Sequence, residues 1–207
     1  MAYGRRRAKT LSRPAMTTAK ISIFCRWPEP GKAKTRLIPG FGPEGAAAIY
    51  TKLLSHTVEV VRATGIPFEL RVTGADPELF RKSLGKDLDI VEQGDGDLTD
   101  KLARVPAPAI VIGSDCPGLS PEILWAANDT LASEEMVIGP ASDGGYYLLG
   151  FTTDARFAFE DMPWSTDKVF EETVSRFVKR GIRPAVLPEL SDIDTAADLA
   201  DWPDFLP

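Results

Sequence analysis

The sequence predicts an α/β fold, a sandwich in which strands alternate with helices around a mostly parallel sheet. Three observations predict it. The run Ala109-Ile110-Val111-Ile112 is apolar at every position, as expected of a strand buried on both faces. Over residues 42–63, Ala46, Tyr50, Leu53, Leu54, Val58 and Val61 recur every three or four positions, the stripe of a helix lying on a sheet. Strand-like and helix-like segments keep alternating along the chain, with no internal repeat or low-complexity tract to suggest another architecture.

In order, residues 20–27 combine β-branched and aromatic side chains and stop at Pro28, which marks a first strand. The loop Pro28-Glu29-Pro30-Gly31-Lys32-Ala33-Lys34-Thr35-Arg36-Leu37 then places three basic residues at alternating positions. In an extended loop Lys32, Lys34 and Arg36 would project to one side as an anion-binding comb; a solvated charged loop is the alternative. The helix over 42–63 carries His56, the one histidine, for which a structural role is expected because general-base work needs a placed partner.

A second strand over 68–73 precedes a short helix with Asp76 as N-cap, Pro77 in its first turn and Gly85 past its end. A third strand over 88–92 leads through a polar turn, Gln93-Gly94-Asp95-Gly96-Asp97, into a short helix over 98–105. Asp95, Asp97 and Asp100 are expected to serve an exposed turn, with cation binding as the alternative. After the central apolar strand, Ser120 and Pro121 start a helix reaching about Glu134, and residues 136–139 form another strand. Asp143-Gly144-Gly145 separates it from a strand over 147–151, either as a ligand-gripping loop or as a hairpin turn. A helix with apolar pairs from Val169 to Val178 ends at Gly181, and residues 184–187 form a late strand. Thr195 and Asp198 have the spacing of a capping box for a final helix. The late strands are expected to add an antiparallel portion.

Length and composition bound the function. With 207 residues, 43% hydrophobic and 26% charged, the chain suits one domain with a sizeable core, expected over 19–207. No apolar run approaches the ~18 residues of a membrane span and no secretory apolar region follows the basic start, so a cytoplasmic protein without a membrane partner is expected. Arg5, Arg6, Arg7, Lys9 and Arg13 make residues 1–18 a basic leader without an acid, expected to be disordered, with Met16 as an alternative start. Setting those five aside leaves 19 basic residues against 30 acidic, a body near −11 that would repel nucleic-acid backbones. Cys25 and Cys116 form neither a zinc pattern nor a disulfide framework and are expected as reduced thiols.

The chemistry is expected where the apolar strand ends in Gly113-Ser114-Asp115-Cys116-Pro117. Ligands of open α/β sheets bind beyond the carboxyl ends of such strands, and an acid there suits a divalent cation that holds a nucleotide. Asp192 and Asp194 precede the last helix, and capping does not account for either.

Pro30-Gly31-Lys32-Ala33-Lys34-Thr35-Arg36-Leu37, Gly113-Ser114-Asp115-Cys116-Pro117, Asp143-Gly144-Gly145-Tyr146-Tyr147-Leu148-Leu149-Gly150 and Asp192-Ile193-Asp194-Thr195 together resemble one bacterial family. It is the family of nucleotide-diphospho-sugar transferase-like proteins, labelled as glycosyltransferases and linked in some cases to arsenosugar biosynthesis. The resemblance runs in order from Ile21 to Trp202. It implies the GT-A fold, a three-layer α/β/α sandwich, with the strands ending near Cys25 and Asp115 as neighbours.

The resemblance also implies a metal site for Mg²⁺ or Mn²⁺ at Asp115 and Asp194, with Asp192 in reserve. The family signature places a further acid two residues before Asp115, where this chain has Gly113. Gly31, Lys32, Lys34, Arg36, Ser114, Gly144 and Gly145 are the expected nucleotide-binding positions. Asp115, Asp143, Lys34 and Arg36 are the expected catalytic ones, with Asp143 orienting or deprotonating an acceptor hydroxyl. Tyr146 and Trp164 either stack on a ligand or pack the core. The reading preferred on sequence is transfer of a sugar from a nucleotide diphosphate to a small acceptor. Nucleotidyl transfer with pyrophosphate release, favoured by a three-residue basic comb, is the second reading. A non-catalytic nucleotide-binding module, which Gly113 would permit, is the third.

Overall fold

A computed structural model describes residues 19–207; the basic leader and Met16 lie outside the described residues. Seven strands form one sheet: β1 (Lys20–Arg26), β2 (Phe68–Thr73), β3 (Ile90–Glu92), β4 (Ala109–Ile112), β5 (Met136–Pro140), β6 (Tyr146–Phe151) and β7 (Ala185–Val186), in the order β3-β2-β1-β4-β6-β5-β7. β6 alone runs antiparallel to its neighbours β4 and β5, while β7 returns parallel to β5. The expected antiparallel portion is therefore one inserted strand, and the sheet is otherwise parallel.

Alternation in β4 explains the layering. Ile110 and Ile112 pack with the helices α1 (Ile38–Thr64), α2 (Pro77–Leu84) and α4 (Pro121–Thr130), through Leu54, Val58, Phe80 and Leu124. Ala109 and Val111 point to the opposite face, against α3 (Leu98–Ala103) and α5 (Val169–Lys179), through Leu102 and Phe177. One strand thus feeds two cores, because successive strand residues face opposite ways. A third cluster joins Leu37, Ile49 and Leu53 to Ile193, Leu199 and Phe205, fastening the end of the chain to the first half of α1.

Several elements differ from their sequence outlines for local reasons. α1 begins at Ile38, four residues before the predicted start, with a break at Gly42 (φ 68°, ψ 170°) ahead of Pro43. α4 stops at Thr130, and the remainder to Glu134 is turn. The predicted final helix is a 3-10 segment, Asp198–Asp201. Its predicted capping box is different too: the Asp198 carboxylate accepts from the Asp194 and Thr195 amides at 3.0 and 2.7 Å and from the Thr195 hydroxyl at 3.0 Å. Asp97 and Asp100 do form a reciprocal capping box on α3. His56 meets the Pro117 carbonyl at 3.1 Å and packs edge-on to Phe205. Cys25 and Cys116, on the paired strand β1 and just past β4, are buried free thiols whose pKa burial pushes up to about 12. Among the described residues no helix is long and apolar enough to cross a membrane.

Candidate active site

The site is built where β1 and β4 end. Past β1 the chain makes a tight turn, with the Lys32 and Ala33 amides both donating to the Glu29 carbonyl. Ala33 and Leu37 are buried, so the segment between them is fixed at both ends. Lys34 between them has a left-handed backbone (φ 46°, ψ 48°), which a non-glycine residue adopts at a cost of about 1–2 kcal/mol. That turn sends the Lys34 side chain inward, 10% exposed, with Nζ 2.8 Å from Asp115 Oδ2 and 2.7 Å from Asp194 Oδ1. Arg36, 71% exposed, donates to the other oxygen of Asp194 at 2.9 Å.

The predicted comb is therefore corrected. The loop is turned, not extended, and Lys32 swings out to pair with Glu29 at 2.9 Å. Gly31 (φ 78°) supplies the turn, and neither it nor Lys32 lines a cavity of the site. Only Lys34 and Arg36 of the three basic residues face it.

Past β4, the Asp115 carboxylate folds back over Gly113, where a Cβ would stand 2.9 Å from Asp115 Oδ1. A side chain at 113 would require the end of the Asp115 side chain to shift aside. Ser114 is not a ligand-facing residue: it is buried, and its hydroxyl shares a 2.8 Å hydrogen bond with Tyr50 Oη. Tyr50 Oη also accepts from the Arg26 amide at 3.1 Å, so one phenol from α1 ties the ends of both central strands.

The Ile193 amide donates to the Asp115 carbonyl at 3.0 Å, and its side chain is sunk in the cluster with Leu37. This anchor presents its two neighbours to the site, Asp194 toward Lys34 and Asp192 toward an apolar cavity. Asp192 Oδ1 is buried without a hydrogen-bond partner among the described residues. Burial, then the nearby charge of Asp115, raises its pKa to about 7 against the pull of Lys34. Lys34 is held in the opposite sense: burial works to lower its pKa, but Asp115 and Asp194 outweigh that and raise it.

Two cavities adjoin here. One of about 270 Å³ is mainly apolar, walled by Phe24, Leu98, Leu102, Tyr146, Trp164 and Val169. The other, of about 450 Å³, is polar and walled by Lys34, Thr35, Arg36, Asp167 and Asp194. Asp143, Ser165 and Thr166 line both. Asp143 sits in the glycine turn, its Oδ1 accepting from the Gly145 amide at 2.8 Å. Gly145 lines the apolar cavity, whereas Gly144 does not. Gly144 (φ 87°) lets the loop carrying Trp164 and Ser165 approach, since a Cβ there would stand 2.3 Å from the Asp167 carbonyl oxygen. Its own carbonyl accepts from the Phe170 amide at 2.9 Å.

The polar cavity carries Asp143, Asp167 and Asp194 against Lys34 and Arg36, and Asp192 lines the apolar one. An anionic substrate meets surplus negative charge there unless a further cation offsets it. No three Asp, Glu, His or Cys side chains among the described residues form a ready-made metal cage. The donors still suit a hard cation, which takes carboxylate oxygens and completes its shell with substrate phosphates and water. The unpartnered Asp192 oxygen beside Asp115 is the specific feature that fits one.

Sequence reasoning did not find Tyr50, because a hydroxyl on an apolar helix stripe looks like any core position. Nor did it find Asp167, Ser165 or Thr166. Ser165, with a left-handed backbone (φ 63°), carries no sequence signal of its strain.

The sequence profile of a family described as uncharacterized proteins conserved in bacteria (DUF2064) matches residues 56–166, a span that includes Asp115, Asp143 and Trp164. No curated protein matches the chain. Among solved structures it is similar to a protein of Desulfovibrio desulfuricans G20 provisionally assigned as a nucleotide-diphospho-sugar transferase. That match has 27% identity and a TM-score of 0.83, covering 91% of this chain and 88% of the other. It is also similar to Rv0371c of Mycobacterium tuberculosis H37Rv in complex with manganese (22% identity, TM-score 0.51, 89% and 97% covered). A third similar structure is the 4-diphosphocytidyl-2C-methyl-D-erythritol synthase of Anaerococcus prevotii DSM 20548 (15% identity, TM-score 0.55, 92% and 97% covered). The last two likenesses speak to the fold.

Proposed function

We propose that this chain, which belongs to the bacterial family DUF2064, is a nucleotide-utilising transferase that moves a sugar from a nucleotide diphosphate to a small hydroxyl-bearing acceptor. One observation carries the reading. Lys34 and Asp194 line a polar cavity that adjoins an apolar one, with Asp143 on their common wall, and Lys34 is clasped there between Asp194 and Asp115, which lines neither cavity itself. A charged donor and a less polar acceptor would then lie side by side with a carboxylate between them.

In this reading the donor diphosphate lies in the polar cavity, where Lys34 and Arg36 donate to it. Asp115 and Asp194, with Asp192 beside them, would hold Mg²⁺ or Mn²⁺. When bound, that cation supplies charge neutralisation to the diphosphate leaving group. The acceptor body fills the apolar cavity beside Trp164. Asp143 takes the proton of the attacking hydroxyl as the new sugar–oxygen bond forms and the sugar–phosphate bond breaks, the electron pair leaving with the nucleoside diphosphate. The likeness to the Desulfovibrio protein supports a sugar-diphosphate donor. So does the corrected basic loop, since Lys34 and Arg36 line the polar cavity and Lys32 does not, and two cations match a diphosphate better than the three that had favoured a triphosphate.

The test is a panel of nucleotide sugars and nucleoside triphosphates with Mn²⁺ or Mg²⁺, scored by product. Release of nucleoside diphosphate with transfer of the sugar is expected, and pyrophosphate release would overturn this reading in favour of nucleotidyl transfer. Asp115→Asn is expected to abolish cation-dependent nucleotide binding with an unchanged circular dichroism spectrum. If binding and its metal response survive, the cation assignment is wrong.

A further inference from the structure

We infer that Lys34 is a resident cation that competes with the divalent metal for Asp115 and Asp194, so that metal entry drives its ammonium toward the substrate phosphates and couples the two binding events. The inference rests on the reading above and concerns its order and linkage.

Three features carry it. The ammonium uses two of its three donors on one oxygen from each acid, at 2.8 and 2.7 Å. A hard cation binds carboxylate oxygens at about 2.0–2.6 Å, inside the shell that Nζ occupies, and like charges at such spacing repel. Ammonium and metal therefore compete for these oxygens, each weakening the other's hold on them.

The second feature is where the displaced side chain can go. Lys34 also lines the polar cavity, together with Arg36 and Thr166. A lysine turned out of the acid pair stays within that cavity and presents a full charge to a phosphate.

The third is the backbone. Lys34 keeps its left-handed conformation between the buried anchors Ala33 and Leu37, and the double ion pair is the contact that its side chain gains there. Removing that contact removes a reason for the strained conformation, so the residue has a second arrangement within reach. By linkage, a metal that frees Lys34 strengthens phosphate binding, and a phosphate that draws Lys34 away strengthens metal binding by the same factor.

The experiment uses the full chain, Mn²⁺ alone and inorganic triphosphate as probes. Mn²⁺ affinity is read by electron paramagnetic resonance, and lysine accessibility by amine acylation with peptide mass spectrometry. In the wild type, saturating Mn²⁺ is expected to raise Lys34 labelling several-fold, with Lys86, exposed in the turn before β3, as the unchanged control. Lys34→Gln is expected to bind Mn²⁺ alone about tenfold more tightly than the wild type, while Arg36→Gln, which removes one exposed charge from the same Asp194, gains much less. Unchanged Lys34 labelling in Mn²⁺-loaded wild type overturns the inference without any variant. A gain in Lys34→Gln that Arg36→Gln matches also overturns it, because general electrostatics would then suffice. If the wild type binds no Mn²⁺ even with triphosphate, the functional reading falls along with the inference. Mn²⁺ binding with a motionless Lys34 sinks the inference alone.

Discussion

Tyr50 shows how one side chain can set a site that it does not enter. Its hydroxyl accepts the Arg26 amide and shares a hydrogen bond with Ser114, so it spans the ends of β1 and β4 from which the Lys34 loop and Asp115 depart. Burial is the main reason that its pKa is pushed up to about 12, so it remains a phenol at any working pH. Tyr50→Phe keeps the ring but leaves the part-buried Arg26 amide and the buried Ser114 hydroxyl without this partner, at an expected cost of about 1–3 kcal/mol. Urea denaturation reads that cost. If the phenol also fixes the spacing of Lys34 and Asp115, nucleotide affinity falls as well, which isothermal titration measures.

Among the elements, the turn between β5 and β6 and the loop before α5 act as one unit. The turn brings Asp143 to the wall of both cavities, and the loop brings Trp164, whose indole donates to Thr99 at 2.9 Å. Gly144 is the point of contact, with the Asp167 backbone where its side chain would be. Gly144→Ala therefore adds both a positive-φ penalty and a clash, and a loss of about 2–4 kcal/mol is expected. Thermal unfolding measures the loss, and Trp164 fluorescence reports whether the loop has moved. The sequence showed that paired glycines stood here. Whether they gripped a ligand or packed a loop was decided by a segment some twenty residues away, which no local pattern names.

At the scale of the whole molecule, the sheet is sealed in two ways. Its middle is closed by apolar clusters on both faces, whereas the β1–β2 half also buries charge. Glu69 accepts from Lys20 Nζ at 2.6 Å, Ser22 Oγ at 3.0 Å and Arg71 Nε at 2.7 Å, and Lys20 reaches on to Asp89. Burial acts to raise the Glu69 pKa, but the bonds and charges of Lys20 and Arg71 prevail and lower it. A carboxylate depressed in the fold contributes stability that is present above its unfolded pKa and lost as pH falls through the folded one. Glu69→Gln leaves Arg71 buried without its acid, which at pH 7 is expected to cost about 3 kcal/mol. The gap to wild type should narrow as pH drops from 7 toward 3, and urea midpoints across that range test it. A gap that is constant with pH would show that the ionised pair is not the cause.

The sequence by itself determined the alternation of strands and helices, the doubly buried central strand, and the acid that ends it. These are local properties: strand and helix periods, and the switch from apolar run to Gly-Ser-Asp, are written in neighbouring residues. It also brought Asp115, Asp143, Lys34, Arg36, Asp192 and Asp194 forward as candidates. Only the tertiary structure decided how they are arranged. Lys32 turns away to Glu29, Ser114 turns inward to Tyr50, and Lys34 is clasped between acids 81 and 160 positions along the chain. Those choices depend on a left-handed residue and on hydrogen bonds between distant loops, and the energies involved are set by through-space distance and burial, which periodicity along the chain does not encode.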